Sequence, residues 1–323
     1  MKNGEQGLRV TVVTDGRPGH EKQSLGLVRG LKNRLAVQMA MVSVADFGLP
    51  RQIGVQFARF LPPWACWLDF LDNGATDLVI CTGSRTHALA LTIKKRLGIP
   101  AVTCMTPDFL YRCFFDICFV PEHDGPVSGS NIFVTVGAPN TLFDKKKHDS
   151  AKGLILLGGK DSKTHIWDQE RLVSQILQII EKETDIFWSL SSSPRTPAAT
   201  CELLTKMVKS YANVAFFDYR STEKGWIERQ YHLCRNVWVT ADSVSMVYEA
   251  LSAGCQVNIL PVDWLAGGAK LEKNEGLLLE KNLVRPFALW QSGKNISDNL
   301  QTINEAQRCA DYIIEKWWPK NIR

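Results

Sequence analysis

Hydrophobic and polar positions follow each other in blocks along the first half of the chain. Short apolar runs rich in β-branched residues predict strands, and the amphipathic stretches between them predict helices, including helices over 23–35 and 86–97. The predicted strands of this half cover 8–14, 37–44, 77–83, 99–105, 117–121 and 132–137. Nearly continuous apolar strands joined by helices indicate a parallel sheet with both faces covered.

The same pattern restarts after a polar segment, 140–152, which we interpret as a linker or a solvated surface loop. Further strands are predicted over 153–159, 185–192, 213–219, 236–241 and 256–262. The chain is therefore predicted to be an α/β protein with two doubly wound Rossmann-like domains, 1–148 and 149–297, facing an interdomain cleft. A C-terminal helix within 298–323 could pack back on the first domain, although the sequence does not require it.

Composition narrows the class of protein. The chain has 323 residues, 45% hydrophobic and 22% charged, which is typical of a soluble protein of two domains. Its net charge of +5 suits anionic small molecules or a weakly acidic membrane surface and is too small to indicate nucleic-acid binding. Nine cysteines without a C-x-x-C pair predict scattered core thiols and no metal site. With no signal segment and no long apolar run, we expect a cytoplasmic protein.

The first strand runs into a loop rich in glycine and charge. Gly16 and Gly19 allow close backbone approach, Arg17 could bind a phosphate or carboxylate, and His20 could carry a proton near neutral pH. The spacing is not G-x-G-x-x-G and no P-loop lysine follows, which argues against a dinucleotide or ATP site. A plain turn with Arg17 and His20 facing solvent is the alternative.

Three further loops after predicted strands carry glycines, hydroxyls and cations. We predict that they contribute to anion binding, because hydroxyls, backbone amides and guanidinium groups at helix N-termini stabilise phosphates. Ordinary helix capping is the alternative; it is favoured for Ser84 and Thr86, is as well supported as anion binding for the serines of 189–200, and is less so for Arg195. The candidate residues of these loops are Gly83, Arg85, Gly158, Gly159, Lys160, Ser192, Arg195 and Thr196.

The stretch 237–262, VWVTADSVSMVYEALSAGCQVNILPV, combines a strand, a polar turn, a helix and a second strand. The strand is predicted to end at Thr240, and the helix is predicted to begin within 242–245. Glu249 lies one helical turn beyond Ser245 on the same face, where its carboxylate could accept both hydroxyls of a ribose. The alternative is that Glu249 is a solvent-exposed helix residue that contacts no ligand.

These residues carry a resemblance to known proteins. The stretch 237–262 resembles the nucleotide-sugar motif of GT-B glycosyltransferases, with matches at Thr240, Ser243, Glu249, Ala253, Gly254 and Pro261 and a departure at Val244, where a glycine is common. Together, TDGRPGHEKQSLGL, SSSPRTP and VTADSVSMVYEA resemble bacterial relatives of the plant mitochondrial-fission "elongated mitochondria" (ELM) family over most of the chain. That family is described as GT-B-like and as related to nucleoside-diphosphate-sugar epimerases.

The resemblance implies roles for the candidate residues. Ser192, Arg195 and Thr196 would lie near the diphosphate of a nucleotide sugar, Ser243 to Met246 around its base and phosphates, and Glu249 on its ribose. The loop with Gly16, Gly19 and His20 would face the sugar and the acceptor, with His20 as the base. A GT-B site of this kind needs no metal and no cofactor apart from the nucleoside diphosphate sugar, which is the substrate.

Three functions follow from the resemblance. The first is a metal-independent glycosyltransferase with an unknown acceptor that could be lipid-linked. The second is a 2-epimerase of the same fold, against which a single glutamate in DSVSMVYEA counts, and the third is a non-catalytic scaffold for partner proteins. The aromatic stretches 55–71 and 316–320 could contact a membrane peripherally, although a buried segment is favoured for 55–71.

Overall fold

The computed structural model describes residues 7–46, 76–126, 128–142, 148–293 and 303–319. By its internal contacts the chain divides into two compact units. Unit 1 comprises Met1–Thr141 together with Asn304–Arg323, and unit 2 comprises Leu142–Ile303. The aromatic stretch 55–71 lies outside the described residues.

Unit 1 contains a parallel sheet of six described strands in the order β2-β1-β3-β4-β5-β6. The strands are β1 Leu8–Thr14, β2 Val37–Ser43, β3 Leu78–Cys81, β4 Ala101–Thr103, β5 Ile117–Pro121 and β6 Ile132–Thr135. The described helices of this unit are α1 Pro18–Lys32, α2 His87–Leu97, α3 Phe109–Arg112 and α10 Glu305–Trp317.

Both faces of this sheet are covered over its central strands, as their apolar runs predict, whereas the edge strand β2 is largely exposed. Val10 and Val12 pack with residues of α1 and α10, whereas their neighbour Val13 packs with Leu89 and Ile93 of α2 on the other face. Successive side chains of a strand point to opposite faces, so a strand buried on both sides does not alternate between exposed polar and buried apolar residues. This explains why the run VTVVT shows no alternation of polar and apolar residues.

Helix α10 completes the core of unit 1 from the far end of the sequence. Its Ile313 and Ile314 are buried, and Gly30 of α1 lies directly against Ala306 and Ala310. At the surface of the same contact Arg34 and Asp311 form an ion pair, with 3.0 Å between Nε and Oδ1. The absence of a side chain at Gly30 allows the two helices to approach this closely.

Unit 2 also contains a six-stranded parallel sheet, in the order β10-β9-β7-β11-β12-β14. Its strands are β7 Asp149–Leu156, β9 Phe187–Ser191, β10 Val214–Phe217, β11 Cys234–Thr240, β12 Gln256–Leu260 and β14 Val284–Pro286. A short antiparallel pair, β8 His165–Ile166 and β13 Asp263–Trp264, lies beside this sheet. The helices are α4 Gln169–Lys182, α5 Ala198–Met207, α6 Trp226–Leu233, α7 Val244–Ser252, α8 Ala269–Glu280 and α9 Phe287–Gln291.

The architecture confirms the predicted α/β class with parallel sheets in two Rossmann-like domains. Some element boundaries differ from the predicted ones. Helix α1 begins at Pro18, where the predicted helix began at residue 23, because proline has the backbone angle of a first helical residue and needs no N–H partner there. Strand β7 begins at Asp149 inside the predicted linker, and the last helix begins at Glu305.

Two general properties of the described residues bear on the chemistry. No helix among them is long and apolar enough to cross a lipid bilayer. Of their eight cysteines, seven are buried and Cys113 is exposed. Burial raises the pKa of the Cys81 thiol to about 12 and that of Cys234 likewise to about 12, so these thiols stay protonated near neutral pH.

Candidate functional site

The polar loop of unit 1 lies where the strand order of its sheet reverses. The chain passes from β1 to β2 on one side and then to β3 on the other, so the loops after β1 and β3 meet at the carboxyl edge of the sheet. In doubly wound sheets this switch point is the usual place for a ligand. Asp15 and His20 come from the first loop and Gly83 from the second.

Asp15 holds the imidazole of His20. Nδ1 of His20 lies 3.0 Å and 3.1 Å from the two carboxylate oxygens of Asp15, whose side chain is only 3% exposed. A carboxylate in contact with Nδ1 favours the tautomer that donates from Nδ1, and this leaves Nε2 as a proton acceptor. The pair has the geometry of a general base oriented by an acidic residue.

Gly83 makes room for this pair. Its φ of +103° lies in a region that residues with a side chain rarely adopt, and a Cβ there would come within 2.5 Å of His20 Nδ1 and 2.9 Å of an Asp15 oxygen. The Gly83 amide donates to the sulfur of Met105 at 2.9 Å. A glycine at this position is therefore required by the His20–Asp15 contact as well as by the backbone.

The other candidates of the first loop take different places. Gly16 has a φ of +77°, and its amide donates to the Thr14 hydroxyl at 3.0 Å. Because α1 begins at Pro18 and not at residue 23, Gly19 and His20 belong to its first turn. Arg17 and Arg85 are exposed, and Arg17 Nε is 3.8 Å from Asp15.

His87 lies behind the loop that contains Gly83. The imidazole is fully buried in the first turn of α2, and its ring packs edge-on to Phe115 at a centroid distance of 5.3 Å. Neither of its nitrogens has a hydrogen-bond partner. Burial lowers the pKa of His87 to about 4, with a further small decrease from His20 and an opposing effect from Asp108. His87 is therefore a packed residue of unit 1.

In unit 2 the strand order reverses between β7 and β11, and the glycines after β7 lie at this switch point. The Gly158 amide donates to the Thr240 hydroxyl at 2.8 Å, and the Gly159 amide donates to Asp242 Oδ2 at 3.1 Å. A Cβ on Gly158 would collide with the Asp242 carboxylate, and one on Gly159 would collide with the backbone of Arg195. The two glycines thus allow three loops to meet.

The third of these loops follows β9 and contacts the same glycines. The hydroxyls of Ser193 and Thr196 both donate to the Gly158 carbonyl at 2.6 Å. Arg195 Nη1 donates to the Gly159 carbonyl at 3.2 Å, and the Lys160 amide donates to the Arg195 carbonyl at 3.1 Å. These hydrogen bonds fix the backbone conformation at Arg195.

Asp242 is the buried carboxylate of this cluster. Its side chain has no exposed surface, and Oδ2 pairs with Arg195 Nη2 at 2.8 Å, while Oδ1 has no hydrogen-bond partner. The Arg195 side chain remains 44% exposed. The arrangement therefore holds a guanidinium at the carboxyl edge of the sheet with part of its surface available to an anion.

The remaining candidates of unit 2 divide into structural and surface positions. Ser192 is buried, and its hydroxyl accepts from the Tyr219 amide at 3.0 Å, so Ser193 and not Ser192 contacts Gly158. Ser243 is buried just before α7. Lys160 and Ser245 are exposed, whereas Met246 and Glu249 on α7 are half-buried.

Sequence reasoning missed three residues that organise these loops: Asp15, Ser193 and Asp242. Asp15 directly follows β1 and Asp242 stands two residues after β11, both at a switch point, and this position was the available signal. Each was overlooked because an aspartate before a helix is also an ordinary capping residue. The structure brings Asp15 to His20 and Asp242 to Arg195, two pairs formed within the separate units.

Comparisons with known proteins identify the family. The family model described as mitochondrial fission ELM1 matches residues 18–317. The chain belongs to the mitochondrial fission ELM1 family. This confirms the resemblance read from the three loop motifs. No curated protein matches the sequence of this ELM1 family member significantly.

Solved structures similar to this ELM1 family member have little sequence in common with it. A Listeria monocytogenes protein assigned as a UDP-N-acetylglucosamine 2-epimerase has a TM-score of 0.59 at 15% identity, over 95% of both chains. The Neisseria meningitidis UDP-GlcNAc 2-epimerase bound to UDP-GlcNAc has a TM-score of 0.56 at 12% identity, over 95% of this chain and 98% of that one. CalG4, the calicheamicin glycosyltransferase, has a TM-score of 0.51 at 12% identity, over 98% of this chain and 100% of that one. These similarities establish the GT-B-like fold.

Proposed function

We propose that this protein binds a nucleoside diphosphate sugar through unit 2 and transfers the sugar to an acceptor hydroxyl that His20 deprotonates. The observation that carries the proposal is the His20–Asp15 pair, in which a nearly buried carboxylate orients an imidazole at a sheet switch point. The proposal is supported by the fold, which this chain shares with a glycosyltransferase and with an epimerase bound to UDP-GlcNAc.

Each step of the reaction uses a residue of the described loops. The acceptor hydroxyl would give its proton to Nε2 of His20 while its oxygen forms a bond to the anomeric carbon. The bond between that carbon and the diphosphate oxygen breaks, and the nucleoside diphosphate leaves with the electron pair. Arg195 would stabilise the charge that develops on the diphosphate, and Glu249 would accept the ribose hydroxyls. No metal or separate cofactor has a role in this proposal.

Binding is the first test. Thermal unfolding should be measured with UDP-, GDP-, ADP- and CMP-sugars, because a ligand at about 100 times its dissociation constant adds about 2.7 kcal/mol to the free energy of unfolding. We expect one of these nucleotides to raise the unfolding temperature. Arg195→Ala and Glu249→Ala should each weaken its binding about tenfold. If no nucleotide sugar shifts the transition, the proposal is wrong.

Turnover is the second test, and it separates the proposed transfer from epimerisation. With the nucleotide sugar that binds, we expect slow release of the nucleoside diphosphate, with water or an added alcohol as acceptor. His20→Ala should keep the affinity and abolish this release. Release that survives in His20→Ala would remove His20 as the base. Proton NMR of the sugar would show a change of configuration at C2 if the protein is instead an epimerase.

A further inference from the structure

A wide apolar groove lies on unit 1, away from the His20 loop. It has a volume of about 1000 Å³, and its apolar walls come from Leu91, Ile99, Pro100, Leu110, Phe114 and Trp317. The groove runs along the end of α2, past α3, to the last helical residues of α10. We refer to it as the α2–α3 groove.

Large apolar side chains beside this groove are unusually exposed. Phe109 is 84% exposed, Leu110 64% and Phe114 56%, all within one short segment around α3. Single exposed apolar residues are common on protein surfaces, but a cluster of large ones beside a concave apolar surface marks an interaction site. The indole of Trp317 adds an amphipathic ring of the kind enriched at the boundary between lipid and water.

Positive charge surrounds the same apolar surface. Lys94 and Lys95 line the groove from the last turn of α2, and Arg96 and Arg112 belong to the last turns of α2 and α3. The Lys94 ammonium lies 2.8 Å from the carboxylate of Asp116 and donates to the Phe114 carbonyl at 2.7 Å. Lys94 and Asp116 neutralise each other, so the charge at the rim depends on Lys95, Arg96 and Arg112 against the exposed Asp108, and it is positive. Cations around protruding phenylalanine and leucine side chains are complementary to an anionic amphiphilic surface.

The position of the groove separates it from the proposed catalytic loop. Pro100 and Asp116 line it, and they immediately precede β4 and β5, so the groove lies by the amino ends of these strands. Asp15, His20 and Gly83 lie beyond the carboxyl ends of β1 and β3, at the opposite edge of the same sheet. An occupant of the groove would therefore leave the His20 loop accessible.

We propose that the α2–α3 groove docks the protein peripherally on a bilayer that contains acidic phospholipids. Phe109, Leu110 and Phe114 enter the interfacial layer of the membrane, while Lys95 and Arg96 lie at the depth of the lipid phosphates. The rest of the protein stays outside the bilayer, in line with the absence of a membrane-spanning helix among the described residues. The net charge of +5 adds a general attraction to the same surface.

Vesicle sedimentation with the full chain tests this proposal. The probes are vesicles of phosphatidylcholine alone and of phosphatidylcholine mixed equally with phosphatidylglycerol. We expect sedimentation with the mixed vesicles only, and a decrease at high salt because the charges become screened. The triple variant Phe109→Ser, Leu110→Ser, Phe114→Ser should lower the partition coefficient at least about tenfold. The double variant Lys95→Glu, Arg96→Glu should lower it at least about tenfold as well.

Matched variants in unit 2 serve as controls. Leu203→Ser removes an exposed apolar side chain, and Lys206→Glu with Lys209→Glu reverses two exposed neighbouring charges, all distant from the groove in sequence. Both controls should bind the mixed vesicles like the unaltered protein, apart from the small change expected from net charge. Nucleotide-sugar binding should be unchanged in every groove variant, which keeps this test independent of the proposed catalysis.

Three results would overturn the proposal. One is that the unaltered protein does not sediment with the mixed vesicles. The second is that the groove variants bind as well as the unit 2 controls, which would assign the lipid contact elsewhere. The third is that the unaltered protein does not bind vesicles and light scattering shows it to be a dimer, while the triple variant is a monomer. The groove would then be the contact with a second copy of the chain.

Discussion

At the scale of single residues, two buried carboxylates organise the polar loops. Asp15 and Asp242 each follow a strand that borders a switch point, and their side chains are 3% and 0% exposed. The first orients the imidazole of His20 and the second holds the guanidinium of Arg195. In both cases the residue that would meet a ligand is positioned by an acid that lies behind it.

Replacement of Gly83 tests the space around the first pair. Gly83→Ala should place a methyl group 2.5 Å from His20 Nδ1 and break the contact with Asp15. Gly98→Ala is the matched control, because Gly98 also has a positive φ, +67°, but no atom near its missing Cβ. We expect a loss of about 1 kcal/mol in Gly98→Ala and at least about 2 kcal/mol in Gly83→Ala, measured by urea unfolding. Nitrogen NMR of the His20 ring should change only in Gly83→Ala.

Removal of the second carboxylate tests the Arg195 pair. Asp242→Ala leaves the Gly159 amide without its acceptor and Arg195 without its carboxylate partner, so we expect a loss of about 2 kcal/mol in the free energy of unfolding. Asp263→Ala removes a surface ion pair with Arg171 of similar length, 2.7 Å, and should cost less than about 1 kcal/mol. Equal losses in the two variants would contradict the structural importance of Asp242.

His87 makes stability depend on pH. Its pKa falls from the ordinary 6.5 to about 4 in the folded protein because burial disfavours the charged imidazole. Between these values the unfolded chain binds a proton that the folded chain does not, so stability decreases as the pH falls from 6.5 towards 4. We expect a loss of about 2 kcal/mol between pH values of about 7 and about 5 in urea unfolding. His87→Phe should remove this part of the pH dependence, whereas Phe115→Leu should lower stability similarly at both pH values.

At the scale of helices and strands, the contact of α1 with α10 depends on a glycine. In Gly30→Ala the added Cβ would lie 2.5 Å from the Ala306 carbonyl oxygen and 2.8 Å from Ala310 Cβ. We expect the two helices to separate, at a cost of about 1–3 kcal/mol in thermal or urea unfolding. Gly276→Ala in α8 meets no neighbouring atom, and should instead stabilise the protein by up to about 1 kcal/mol through helix propensity. Because the free energy of unfolding should decrease in Gly30→Ala and increase in Gly276→Ala, the two variants distinguish a close helix contact from helix propensity.

Most strands could be predicted from the sequence because their apolar runs are buried on both faces, as in VTVVT and LVIC. Strand β14, with only three residues, and the two-residue pair of β8 and β13 carry no such pattern, because their partners and not their own composition define them. In the site, Gly83 and His20 were recognisable as residue types with special chemistry. The approach of Gly83 to His20 depends on the parallel pairing of β1 with β3 and could not be predicted from spacing, whereas Asp15 and His20 are five residues apart in the same loop.

At the scale of the whole molecule, each unit has a parallel sheet and a buried core of its own. We therefore expect that shortening a buried core side chain increases local unfolding only in the unit that contains it. Val12→Ala should increase hydrogen exchange in strands β1 and β3, and Ile155→Ala should do so in β7 and β11, with an expected cost of about 1–4 kcal/mol each. An equal increase in both sheets from either variant would show that the chain unfolds as a single cooperative unit.

The pairing of Arg195 with Asp242 has a consequence for ligand affinity. On the proposed function, the free protein already carries an anion at the place where the diphosphate needs a cation. A diphosphate that takes up Arg195 then exchanges with a fixed carboxylate, or shares the guanidinium with it, instead of replacing water alone. The carboxylate of Asp242 therefore competes with the diphosphate for the guanidinium of Arg195. It lowers the affinity for substrate and product nucleotide alike, and so favours release of the nucleoside diphosphate after each turnover.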